Sequence, residues 1–89
     1  MNWQIENHPE GGLQIRHLVA PRFTARWTTG DFPLDQVRAG EMFWTDEGSG
    51  EEDAIHLYAF AWDDPPPADR GFKKLMIAAA AAIEQYVIR

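Results

Sequence analysis

The sequence predicts an α+β domain, a four- to five-stranded antiparallel sheet with one C-terminal helix packed on one of its faces. Three observations predict it. Apolar residues alternate with polar ones through the first half of the chain, Gly, Pro, Asn and Asp punctuate the short runs, and the last stretch changes to three-and-four apolar spacing. With 89 residues, 45% hydrophobic and 25% charged, the chain has a globular composition and the length for a single core, so residues 1–89 are expected to form one domain.

The elements follow in order. Trp3 and Ile5, then Leu13, Ile15, His17 and Val19, alternate with polar neighbours on either side of His8-Pro9-Glu10-Gly11-Gly12, which reads as a first hairpin. Beyond Pro21, Phe23, Ala25 and Trp27 alternate with Arg22, Thr24, Arg26 and Thr28, a third, half-buried strand. Gly30-Asp31-Phe32-Pro33 ends it. A short helical turn over residues 34–38, stopped by Gly40, and a fourth strand over residues 41–45 come next. The run Ile-His-Leu-Tyr-Ala-Phe-Ala-Trp, residues 55–62, contains no turn former and is the strongest strand. Asp63, Asp64 and the triple proline 65–67 stop it, and Asp69 is placed to N-cap a helix reaching about Ile88. Phe72, Leu75, Met76, Ala79, Ala82, Ile83 and Tyr86 form its buried stripe.

Charge is unevenly distributed. Residues 46–70 carry Asp46, Glu47, Glu51, Glu52, Asp53, Asp63, Asp64 and Asp69 against Arg70 alone, and this segment holds the excess of a chain whose net charge is −6. A nucleic-acid face needs clustered Lys and Arg, so nucleic acid is not an expected partner. The loop Asp46, Glu47, Glu51, Glu52, Asp53 reads instead as a solvated acidic segment able to dock a basic partner. Its glycines fall at the wrong positions for an EF-hand, and no metal is expected. The absence of Cys removes disulfides, thiolate metal sites and thiol catalysis. Residues 1–10 lack the basic and apolar regions of a signal peptide, which suggests a cytoplasmic protein. The longest apolar stretch, residues 75–83, is too short for a bilayer span of about 20 residues, so no membrane partner is expected.

Catalytic signals are weak. Ser49 lacks a nucleophile elbow, no phosphate-binding Gly-rich loop is present, and His8, His17 and His56 contain no HxH or HxxxH pair. The reading leans away from an enzyme and calls for no cofactor. The fifth strand, however, has two apolar sides, Ile55/Leu57/Ala59/Ala61 and His56/Tyr58/Phe60/Trp62, and one helix covers only one of them. Either the 34–38 turn and the N-terminal segment close over the second side, or it is an interface. The functional expectation is a small, acidic, non-catalytic interaction or regulatory module whose surface is His56, Tyr58, Phe60, Trp62 and Trp44 and whose partner is another protein, including itself as a homodimer. Two alternatives stand beside it. One is a small-ligand binder or small enzyme with a pocket between the sheet and the 34–38 turn, lined by Trp27, Trp44, His17 and His56. The other is an acidic nucleic-acid mimic that binds a basic partner.

Overall fold

The computed structural model describes residues 2–47 and 54–87. Five strands, β1 (Trp3–Asn7), β2 (Leu13–His17), β3 (Phe23–Thr29), β4 (Trp44–Asp46) and β5 (Ile55–Trp62), precede one helix, α1 (Asp69–Val87). The sheet is antiparallel throughout, in the order β1-β2-β3-β5-β4. The expected α+β architecture is what the chain adopts.

Turn chemistry sets the first registers. Gly11 and Gly12 stand at φ +101° and +78°, where a Cβ would be strained, and the His8 amide donates to the Gly12 carbonyl at 2.9 Å to close the loop that pairs Asn7 with Leu13. The alternation of β3 is realised as read. Phe23, Ala25 and Trp27 are buried beneath the helix, and Thr24, Arg26 and Thr28 lie on the other face. Together with Ile15, Ile55 and Leu57 they meet Met76, Ala79, Ala80 and Ile83 of α1 in one core. Phe72, Leu75 and Ala82 pack at its margin, while Tyr86 is exposed but keeps its ring edge-on to Trp27 at 6.0 Å.

Four expectations need correction. Residues 34–38 are not helical. A single turn, with the Gln36 amide donating to the Pro33 carbonyl at 3.0 Å, crosses the sheet instead. The fourth strand is Trp44–Asp46 and not residues 41–45, because Phe43 leaves the ladder to set its ring against Phe32 at 5.1 Å. The second strand ends at His17, leaving Val19 exposed beyond it. At the helix start the Ala68 carbonyl accepts the amides of Gly71 and Phe72, at 2.9 and 3.3 Å. Asp69 stands within α1 at φ +31° and makes no side-chain hydrogen bond to the first turn.

The decisive feature lies in β5. Its pairing with β3 shifts by one residue between Thr24 and Arg26, and the extra residue is Ala59, at φ +52°. A bulge of this kind moves every following side chain to the opposite face. Ile55 and Leu57 face the helix before it, and Phe60 and Trp62 face the helix after it. A non-glycine residue in the left-handed region costs about 1–2 kcal/mol, partly offset for glycine by its greater chain entropy. Ala59→Gly should therefore raise the unfolding free energy by about 0.5–1 kcal/mol, and Ala59→Val should lower it, as read from the urea midpoint.

Candidate functional site

The Ala59 bulge divides the residues expected to form one aromatic surface. His56 and Tyr58 point away from the helix and are 5% and 4% exposed, because the chain from Gly30 to Phe43 folds across them. His56 Nε2–H donates to the Gly30 carbonyl at 2.7 Å, its Nδ1 lies 2.9 Å from Thr45 Oγ1, and Phe32 sits edge-on to its ring at 5.4 Å. The Tyr58 hydroxyl donates to Gln36 Oε1 at 3.0 Å, and the Arg26 guanidinium lies 5.8 Å from its ring centre while donating through Nη2 to the Gly11 carbonyl. Over His56 and Tyr58 the chain's own turn covers this side of the sheet, as one of the two expectations had it, while Ala59 and Ala61 stay exposed. The N-terminal segment forms edge strand β1 and takes no part in that cover.

Phe60, Trp62 and Trp44 are brought together on the helix side. Phe60 and Trp62 stack at 5.8 Å and 9°, and Phe72 of α1 reaches Trp44, Phe60 and Trp62 at 6.1, 6.1 and 6.4 Å. Phe23 lies beneath them, 4.7 Å from Trp62. All four outer rings, Trp44, Phe60, Trp62 and Phe72, are partly exposed. Among the described residues the buried Nε1–H groups of Trp44 and Trp62 have no acceptor, and each unmade bond costs about 1–3 kcal/mol that ring packing must offset. The spacing of Phe72 assigns it only to the core stripe, and nothing in its local sequence marks it as the fourth member of this rim.

Next to the rim the sheet edge is open. β4 pairs with β5 only at residues 55, 56 and 57, so no described strand lies beside residues 59–62 on that side. The hydrogen-bond parity can be counted. The Asp63 amide donates to the Arg22 carbonyl at 2.9 Å, so residues 63 and 61 turn their main-chain groups towards β3. Phe60 and Trp62 therefore present theirs to the open side. Ala59 and Ala61 are exposed, leaving that edge uncrowded.

Beyond the edge β5 turns away at Asp63 and Asp64. Asp64 is bound to Arg22, its Oδ2 accepting from the Arg22 amide at 2.7 Å and from Nε at 3.2 Å, with Oδ1 accepting from Nη2 at 3.3 Å. These bonds hold the Asp64 carboxyl below its ordinary value and raise the Arg22 guanidinium above its own.

Against known proteins, the chain matches no family model, no curated protein and no solved structure.

Of the acidic docking loop, Asp46 ends β4, Glu47 is exposed, and Glu51, Glu52 and Asp53 lie outside the described residues. The expected pocket lining is divided by the sheet. His17 and Trp27 face the helix, with Trp44 beside them in the same layer, and only His56 lies on the opposite side, against Gly30 and Phe32. β3 separates the strands carrying His17 and His56. His17 lies between Trp3 and Phe23 at 4.3 and 5.8 Å and donates from Nδ1 to the Pro21 carbonyl at 2.8 Å. Among the described residues no three His, Asp or Glu side chains gather as a metal-binding group, and no helix is long and apolar enough to cross a membrane.

The Arg22–Asp64 contact has a definite pH signature. A carboxyl whose folded value is depressed stabilises the fold above its unfolded value, near 3.8, and that contribution is lost as pH falls through the lower folded one. Asp64→Asn should therefore be less stable than the parent chain at pH 6, with the difference shrinking below pH 4 (about the unfolded carboxyl value). Urea unfolding of both chains across this range measures it. A gap that stays constant through the acid range would show that the carboxylate charge contributes nothing.

Proposed function

We propose that this chain is a non-catalytic protein-interaction module of the cytoplasm that assembles through the open edge of β5 and its aromatic rim of Trp44, Phe60, Trp62 and Phe72. The observation that carries the reading is the main chain of residues 59–62, which among the described residues has no neighbouring strand on one side and is flanked by partly exposed aromatic rings. Unpaired strand edges are templates for another strand, and soluble proteins ordinarily guard them with charge, proline or cover.

The contrast with the other edge supports this. β1 carries Gln4, Glu6 and Asn7 along its five residues, and Glu6 is further engaged by Arg16 at 3.2 Å. The open stretch of β5 reads Ala-Phe-Ala-Trp and carries no charge at all. Such a segment is a liability unless something pairs with it, and main-chain pairing with aromatic side-chain pockets is a recurrent mode of protein recognition. Localisation to the cytoplasm rests on the cysteine-free composition.

A photoreactive diazirine residue placed at Asp63, exposed at the end of the open edge, should form adducts with a polypeptide in the cells that make this protein. The same residue at Glu84, exposed on the helix, should not. Ala61→Lys should abolish the adducts at position 63. Adducts at position 84 alone, or adducts at 63 that survive Ala61→Lys, would place the interaction elsewhere.

A further inference from the structure

We infer that the strand completing this edge is β5 of a second copy of the chain, paired antiparallel about a two-fold axis through Ala61. This assignment rests on the interaction reading above and names its partner. The parity of β5 carries it. In an antiparallel pair the residues directly opposite one another alternate between those that exchange both main-chain hydrogen bonds and those that exchange none. Phe60 and Trp62 present their N–H and C=O groups outward, while Ala61 turns its own towards β3. Centring the pair on Ala61 sets Phe60 opposite the second copy's Trp62, and Trp62 opposite its Phe60. Every outward group of both residues is then satisfied, and because the contact is isologous, each copy supplies what the other lacks.

The side chains agree with that register. Phe60 and Trp62 stand on the helix side, so the two cross-strand pairs are aromatic on aromatic, among the favourable pairs of a sheet. On the opposite face Ala61 meets its own symmetry mate at a non-hydrogen-bonded position, where Cα atoms approach to about 4.5 Å and a small side chain is wanted.

Length agrees as well. The incoming strand runs from Phe60 to Asp63, which would lie opposite Ala59, and the chain bends away at Asp63 and Asp64, short of Trp44, the partner of Leu57 in β4. No carboxylate falls directly opposite another. The product is a continuous ten-stranded sheet with both helices on one face, twice the five strands of one copy. The net charge of −6 on each copy opposes it.

Charge exchange at the symmetry axis tests this. Ala61 is exposed, so Ala61→Lys and Ala61→Glu should each fold with the parent's far-ultraviolet circular dichroism and thermal midpoint within a few degrees. In analytical ultracentrifugation the parent chain should sediment as a dimer of the 10.1 kDa protomer. Each single variant should dimerise about a hundredfold more weakly, because like charges then face each other across the axis. An equimolar mixture of the two should restore a dimer. Dimerisation of the parent should tighten with added salt, as screening removes the repulsion between acidic copies, whereas capture of a basic partner would weaken.

A parent chain that remains monomeric at high micromolar concentration would overturn the self-pairing. If position 63 still cross-linked to a different polypeptide, the interaction reading would survive that result. Dimers that persist in both single variants, or a mixture that fails to restore association, would overturn the β5 register.

Discussion

The structure depends on one extra residue. Without the bulge at Ala59, the eight residues of β5 would alternate evenly, and Phe60 and Trp62 would share a face with His56 and Tyr58. That face would then carry four large rings for the 30–43 segment to cover, while the helix would meet only alanines at the far end of the strand. The bulge sends the first two rings to the turn and the last two to the helix. One helix and one irregular segment thereby cover the large rings on both sides of β5 in a chain of 89 residues, and only the small Ala59 and Ala61 stay exposed. The left-handed φ at Ala59 is the local cost of that arrangement.

The covering segment is held by directed bonds more than by apolar contact. His56 bonds to the Gly30 carbonyl and contacts Thr45, and Tyr58 reaches Gln36, so the turn is fastened at both ends of the two buried rings. A strand side chain that is both aromatic and polar suits this position, because a thin irregular cover leaves main-chain groups that need partners. Leu34 at the outside of the turn is 77% exposed, which fits a segment whose anchoring comes from Phe32 and Gln36. The helix layer is the reverse case. There Phe23, Leu57, Met76 and Ile83 are wholly buried and the tryptophan N–H groups go unpaired, so packing outweighs hydrogen bonding.

Much of this was legible in the sequence, and the unreadable part has a physical cause. The period-two pattern of Phe23, Ala25 and Trp27 located β3 and its buried face. The three-and-four spacing of Met76, Ala79 and Ile83 located the inner face of α1, and the conflict between two apolar sides of β5 and a single helix pointed to a second cover. What failed was continuity. A bulge conserves composition and periodicity on either side of itself, and Ala59 is not a glycine that would announce a left-handed backbone, so the change of face at residue 59 left no mark. The same blindness affected Phe43, whose place in the ladder was lost to a tertiary contact with Phe32. His56 and Tyr58 thus left the expected surface, while Phe60, Trp62 and Trp44 stayed together with Phe72 added.

The Ala-Phe-Ala-Trp sequence gains its meaning from where the bulge places it. In an even strand the alanines would lie under the helix as close-packing residues. After the bulge Ala61 faces away from the helix, and the bulky rings take the helix side, where no described strand pairs with their outward main chain. Small residues on one face and stacked aromatics on the other make a short edge without charged side chains. Stability of the isolated domain requires none of these properties. A lysine at position 61 would be compatible with the fold and would guard the edge, as Glu6 does for β1. The alanine there leaves this stretch of the edge without a charged side chain.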